Sequence, residues 1–259
     1  MSLLEPDEPP PVVVERAAGT SPYVLVADHA GRRLPRATGT LGLEPDDLER
    51  HIAYDIGILP VARTLARALD APFVAQTYSR LVIDCNRPPH VAASIPEISE
   101  TTPVPGNRAI GEGARRARIA ALFEPYHQAI AAILDARAGQ RRPTVLIAMH
   151  SFTPVYMGAS RPWQIGLLYN RDPRVARPAL ELLAGDDALA VGDNLPYAVD
   201  DASDYTLPVH GEQRGLPHAG FEIRQDLIAE VAGQEQWILQ MTRLLRDLLP
   251  RLARAGVTG

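Results

Sequence analysis

Val24-Leu25-Val26-Ala27-Asp28-His29-Ala30-Gly31 runs from four apolar residues into an acid, a histidine and a glycine. An apolar run without a polar gap reads as a strand covered on both faces. The same arrangement returns at Val145-Leu146-Ile147-Ala148-Met149-His150-Ser151. In an open α/β sheet, ligands bind beyond the carboxyl ends of the strands. Two buried strands that each end in a histidine therefore point to a metal site. A single histidine in such a place reads more simply as a hydrogen-bonded structural residue.

Around these two strands, apolar stretches alternate with helical patterns. Residues at Leu48, Ile52, Ile56, Leu59, Ala62 and Leu65 follow helical spacing behind Glu44-Pro45-Asp46-Asp47, which predicts a helix carrying His51 and Asp55 on one face. Pro60 would kink or divide it. Ala71–Thr77 and Leu81–Cys85 read as strands, and residues 88–109 as a long proline-rich loop. A long helix is expected over Gly111–Ala138, with Pro125 as a possible kink. Ile165–Tyr169, Leu189–Asp193 and His218–Arg224 read as further strands. Pro173–Leu183 and Gln234–Ala255 read as helices, and residues 194–218 as a second irregular region. The class is α/β with a largely parallel or mixed sheet. Residues 12–259 form one domain behind a proline-rich, acidic lead-in, residues 1–11, which is expected to be disordered.

Composition narrows the function. The chain has 259 residues and a formal net charge of −5, and its 26 basic residues are all arginine. Without a long basic run, a general nucleic-acid binder is disfavoured. Without lysine, Schiff-base and P-loop chemistry are excluded. No stretch approaches the roughly 18 apolar residues of a membrane span. The single cysteine, Cys85, forms no intrachain disulfide and packs in the core rather than acting as a nucleophile. The first residues lack the pattern of a signal peptide, so the cytoplasm is the expected compartment. Nothing in the sequence fixes an oligomeric state.

The polar residues at strand ends are His29, Arg80, Asn86, Arg87, His150 and Glu222, and His51 and Asp55 can approach them from their helix. Two histidines and a carboxylate with one open position make the usual ligand set of a catalytic zinc. Glu222 lies in Phe221-Glu222-Ile223-Arg224, where a carboxylate is costly unless paired or functional. It reads either as an ion pair with Arg224 or another arginine, or as a general base. Arg80, Arg87 and Arg224 offer planar forks for an anionic substrate. There is no GxSxG elbow for a serine hydrolase.

The sequence resembles the N-formylglutamate amidohydrolase family. The matching pieces are Asp28-His29-Ala30-Gly31 with Pro35, His51 through Asp55, Ser79–Asp84 with Asn86-Arg87-Pro88, His150-Ser151-Phe152 and Glu222-Ile223-Arg224. Arg161-Pro162-Trp163, Gly166–Asn170 and Gly192-Asp193-Asn194 resemble its branch of predicted members. The resemblance spans about residues 20 to 245. It implies a three-layer α/β/α sandwich with a central mixed sheet, phosphorylase/hydrolase-like, as in zinc carboxypeptidases and aspartoacylases. It also implies one zinc ion and hydrolysis of an acylated acidic amino acid. Carried over residue by residue, His29 and His150 would hold zinc, Asn86 and Arg87 the substrate carboxylate, and Glu222 would be the general base. The related enzymes place a glutamate ligand three residues after the first histidine. Arg32 stands there, so the third ligand is expected from Asp55, with His51 as competitor or support and Asp28 less favoured. Asp84 is a candidate support for the ligands.

Three functions follow as expectations. The first is a zinc amidohydrolase releasing formate from a small carboxylate-bearing substrate such as N-formyl-L-glutamate. The second is a zinc acylase or peptidase of other specificity. The third is a non-catalytic binder of carboxylates, which would have no use for His29, His150 and Glu222 together.

Overall fold

A computed structural model describes residues 3–257 of the chain. Seven strands form one mixed sheet: β1 (Val12–Glu15), β2 (Tyr23–Ala27), β3 (Phe73–Gln76), β6 (Val145–Phe152), β9 (Ile165–Leu168), β10 (Val191–Asp193) and β11 (His218–Arg224). Two small hairpins, β4 (Ile98–Ser99) with β5 (Thr102–Pro103) and β7 (Val155–Tyr156) with β8 (Ala159–Ser160), stand outside it. The order across the sheet is β1-β3-β2-β6-β11-β9-β10. β3, β2, β6 and β11 run parallel, whereas β1 and β9 pair antiparallel with β3 and β11.

Both faces of the central strands are covered, which is why β2 and β6 read as unbroken apolar runs. Leu25, Ala27, Ile147, Met149, Phe221 and Ile223 face α2 (Ile58–Leu69), α5 (Ala176–Leu183) and α6 (Val231–Arg254). Val24, Val26, Leu146 and Ala148 face the opposite layer, built on α4 (Glu124–Gly139) through Tyr126, Ile130 and Leu134. The alternation then carries Asp28, His150 and Glu222 to this second face, at the carboxyl ends of three neighbouring parallel strands.

Several expected elements differ. The helix predicted from Glu44 to Leu65 is only a turn, α1 (Pro45–Leu48), followed by irregular chain and then α2. His51 and Asp55 therefore sit on a loop and share no helical face. The break comes at Gly57, ahead of Pro60: its φ is 77°, and a Cβ there would stand 2.1 Å from the Ile228 carbonyl oxygen. Leu81–Cys85 is no strand. Its residues are apolar because Leu81, Val82, Ile83 and Cys85 pack into the core beside α4. A short buried run has the same periodicity either way. The helix expected over Gly111–Ala138 divides into α3 (Glu112–Arg118), a wide π turn at Ile119–Phe123, and α4. Pro125 lacks the N–H for a regular turn there and its ring crowds the carbonyl one turn back.

The lead-in, expected to be disordered, lies on the domain, with Leu3 and Leu4 packed against the core of the second layer, and residues 1 and 2 lie outside the described residues. The Tyr78 hydroxyl donates to Pro9 O at 2.8 Å, Thr77 N donates to Pro11 O at 2.9 Å, and Arg36 N donates to Glu8 Oε1 at 2.9 Å. Asp7 also pairs with Arg36. Its acids find a partner on the domain that the composition alone did not reveal. No helix among the described residues is long and apolar enough to cross a membrane.

Two buried histidines tie the second layer together. His127 Nε2 donates to the Cys85 carbonyl at 2.8 Å, so its Nδ1 accepts from His210 Nε2 at 3.0 Å. Burial holds both neutral, with pKa values down to about 4 for His127 and about 3 for His210. The unfolded chain takes up protons below about pH 6.5 and the folded pair does not, so stability is full above that pH and falls as acid is added. By pH 5 the pair should cost on the order of 3 kcal/mol. Urea unfolding of the wild type and a His127→Gln/His210→Gln double variant between pH 7 and 5 checks this: the variant's dependence should be the flatter one.

Candidate active site

Four carboxylates, Asp28, Asp55, Asp84 and Glu222, and two imidazoles meet around the carboxyl ends of β2, β6 and β11. His29 begins the loop after β2. Gly31 lets that loop cross the end of β3, since a Cβ there would lie 2.2 Å from the Thr77 backbone. The loop holding Asp55 is clamped against it, with Asp55 N donating to His29 O at 2.9 Å. Ser151 N donates to Asp55 Oδ2 at 3.2 Å, and the Ser151 hydroxyl donates to Ile56 O at 2.8 Å. These bonds set the Asp55 carboxylate between the two histidines.

Both imidazoles turn Nδ1 toward Asp55: His29 Nδ1 lies 3.6 Å from Oδ1 and His150 Nδ1 lies 2.9 Å from Oδ2. Both turn Nε2 toward a second carboxylate. His29 Nε2 is 2.7 Å from Asp84 Oδ1, and His150 Nε2 is 3.2 Å from Asp28 Oδ2. Asp28 is itself fixed by the Thr206 hydroxyl at 2.6 Å, and Asp84 by Arg80 at 2.6 Å. Burial opposes charge on His29 and His150, yet the flanking carboxylates outweigh it and raise both pKa values. Asp28, although buried, stays ionised with a pKa near 2 because of His150, His29 and Thr206.

This donor set fits a metal ion. A carboxylate on the outer nitrogen of each ring fixes the proton there and leaves Nδ1 as an inward lone pair, the common support of a histidine ligand. A tetrahedral ion with bonds near 2.1 Å spaces its ligands about 3.4 Å apart. One ligand atom from each of His29, Asp55 and His150 lies within 4.8 Å of the others. His51 stands apart from this cluster. Its Nε2 is 3.5 Å from Glu100 Oε2, and it lines the cavity wall. Arg32 points away to Glu49 on the surface. Asp84→Asn and Asp28→Asn should each weaken the affinity of these donors for an added divalent metal ion about 10–100-fold, as measured by competition with a chromophoric chelator.

The cluster opens into a cavity of about 300 Å3 lined by His29, Asp55, Arg80, Arg87, His150 and Glu222 among others. Glu222 is paired in register with His150 on the neighbouring strand. It makes no ion pair among the described residues, so the structural alternative read from the sequence fails. Its Oε2 is buried without a hydrogen-bond partner. Burial drives its pKa up to about 7, with His150 pulling the other way.

The residues expected to bind an anion separate. Arg80 and Arg87 line the cavity. Arg80 is 2.6 Å from Asp84 and 3.6 Å from Asp55, and Arg87 donates to Ser203 O at 2.5 Å. Asn86 lines the cavity too, but its amide is engaged: Nδ2 donates to Asp204 Oδ1, and Oδ1 accepts from Tyr205 N and Thr206 N. It fastens the loop that carries Thr206. Arg224 is corrected outright. It sits at the end of β11, bound to Asp226 at 2.8 Å and to Pro162 O at 3.2 Å, and it lies outside the cavity. Residue alternation explains this: Glu222 and Arg224 share a face, but Arg224 lies one step further out, past the sheet edge of the site. Cys85 is buried, and burial pushes its thiol pKa well up. Three cavity residues, Glu100, Tyr156 and Tyr197, had no sequence signal, because each comes from a hairpin tip or loop with no regular pattern.

The sequence model of the N-formylglutamate amidohydrolase family matches residues 21–229, a span that holds every one of these side chains. The chain belongs to the N-formylglutamate amidohydrolase family. That places it among hydrolases of a linear carbon–nitrogen amide bond. It is similar to the gene product Atu2144 of Agrobacterium tumefaciens, at 38% identity over 97% of this chain and 99% of that one, with a TM-score of 0.93. It shares its fold with an N-formylglutamate amidohydrolase from Ralstonia eutropha JMP134, at 20% identity over 95% of this chain and 99% of that one, with a TM-score of 0.69. Among curated proteins none matches.

Proposed function

We propose that this amidohydrolase is a zinc-dependent deformylase of N-formylated acidic amino acids, with N-formyl-L-glutamate as the reference substrate. The observation that carries the reading is Glu222: a buried carboxylate with a free oxygen and a pKa near 7, beside the histidine and aspartate donors. A zinc ion held by His29, Asp55 and His150 would supply Lewis acidity, drawing electron density from the amide carbonyl and making water acidic near neutral pH.

Glu222 accepts a proton from the attacking water as the new carbon–oxygen bond forms. It then returns that proton to the amide nitrogen as the carbon–nitrogen bond breaks, giving formate and the free amino acid. A pKa near the working pH suits both transfers. Arg80 and Arg87 bind the substrate carboxylate and so orient the scissile amide toward Glu222. Asp84 and Asp28 hold the two imidazoles.

The test is release of formate, acetate or succinate, respectively, from N-formyl-, N-acetyl- and N-succinyl-L-glutamate by the zinc-loaded enzyme. The formyl substrate should lead in kcat/KM by about 100-fold or more, because each added acyl carbon must be accommodated beside the reacting carbonyl. A faster N-acetyl substrate would replace deformylation with a general acylase activity.

A further inference from the structure

One imidazole in the cavity is left over once the metal donors are placed. His51 lies on the irregular chain before Asp55, and its side chain lines the same cavity as Glu222, Arg80 and Arg87. Its Nε2 is closed off from solvent and faces Glu100 Oε2 at 3.5 Å without forming a hydrogen bond. Glu100 is fixed by Arg50 Nη2 at 2.8 Å and by Met157 N at 3.4 Å, so the β4–β5 and β7–β8 hairpins meet at this carboxylate. His51 Nδ1 has no protein partner among the described residues either, but unlike Nε2 it is not closed off. The ring therefore offers the cavity one free nitrogen.

Glu100 sets the form which that nitrogen takes. A proton is favoured on Nε2, beside the carboxylate, and the lone pair is left on Nδ1. A second proton is disfavoured. Burial lowers the His51 pKa, and Arg50, Arg80 and Arg161 lower it further against the pull of Glu100. A neutral imidazole with an open Nδ1 is a hydrogen-bond acceptor. Its neighbours in the wall are already engaged. Asn86 Nδ2 donates to Asp204 Oδ1 at 3.2 Å, the Ser151 hydroxyl donates to Ile56 O at 2.8 Å, and Asp55 lies between His29 and His150. Arg80 and Arg87 can only donate. An amide N–H that leaves water for this cavity must find an acceptor or lose the free energy of its bond to water. A cavity of about 300 Å3 gives a substrate little room to lie away from its walls.

We infer that His51, through Nδ1, accepts a hydrogen bond from the amide N–H of the substrate. The inference rests on the amidohydrolase reading above and adds a residue to it. With the N–H held on His51, the other face of the nitrogen is left for the proton that Glu222 returns. The contact strengthens during the reaction. As the carbon–nitrogen bond breaks and the nitrogen takes up that proton, it gains positive charge and its N–H becomes a better donor.

The formate ester of L-2-hydroxyglutarate separates this role from a structural one, because it carries oxygen in place of the amide N–H. His51→Ala in the full-length, zinc-loaded protein should lower kcat/KM for N-formyl-L-glutamate about 10–100-fold. It should leave the rate on the ester within about twofold of wild type, after the uncatalysed rate is subtracted. Equal losses on both substrates would make His51 a staple of the loop before Asp55 and overturn the inference, as would an undiminished rate on the amide. If His51→Ala loses its melting transition, His51→Leu fills the same space and is read by the same outcomes. Calorimetric binding to the metal-free wild type, where nothing is hydrolysed, keeps the two readings apart. The amide should bind about 10-fold more tightly than the ester, and the His51 variant should lose that preference. A preference of this kind without deformylation would sink the catalytic reading alone. Deformylation with no preference that depends on His51 would sink this inference alone, and a wild type that binds neither ligand would overturn both.

Discussion

Glu222→Gln should lower kcat for formate release by about 10²–10⁴-fold while KM and zinc content stay near wild-type values. The carboxamide keeps the shape of the side chain but cannot accept and return a proton. The same substitution should stabilise the metal-free protein. The Glu222 pKa is raised by burial to about 7, above the ordinary carboxylate value. Above that ordinary value the unfolded chain ionises freely while the folded chain resists, so the group costs stability as pH rises toward 7. Removing it should gain on the order of 2 kcal/mol at pH 8, seen as a higher urea midpoint. Loss of activity with gained stability is the pattern of a group placed for chemistry. A variant that lost both would instead mark Glu222 as a packing residue.

Asp55→Asn should have the second large effect. It removes the anion between His29 and His150, whose rings lie 4.9 Å apart. Zinc occupancy should fall from near one equivalent to a trace after dialysis, and activity should fall at least about 10³-fold. His51→Asn is the informative partner. His51 faces Glu100 rather than the cluster, so that variant should keep its zinc. Metal analysis of the two proteins side by side decides between the two ligands left open by the sequence.

Much of the fold was legible because burial on both faces leaves an unmistakable trace. β2, β6 and β11 each read as strands from their apolar runs, and the strand-end positions of His29, His150 and Glu222 followed. Their meeting also required the three strands to be parallel neighbours, which local pattern could not show and the resemblance, implying only a mixed sheet, did not specify. The misreadings share a physical cause. Leu81–Cys85 and the segment around Ile52 are apolar because they pack under loops, and packing of that kind mimics strand and helix periodicity. Arg224 shares a strand with Glu222, but two residues of rise carried it out to Asp226. Asp28 was disfavoured as a ligand because it neighbours His29 in a strand. The strand ends at Ala27, so His29 is free to turn and Asp28 reaches His150 from the sheet face.

The most direct test of the account is titration of zinc into chelator-stripped protein while formate release from N-formyl-L-glutamate is followed. Activity should be absent at the start, rise in proportion to added zinc, and level off at one equivalent. Full activity in the stripped protein, or zinc bound at one equivalent with no formate released, would contradict it.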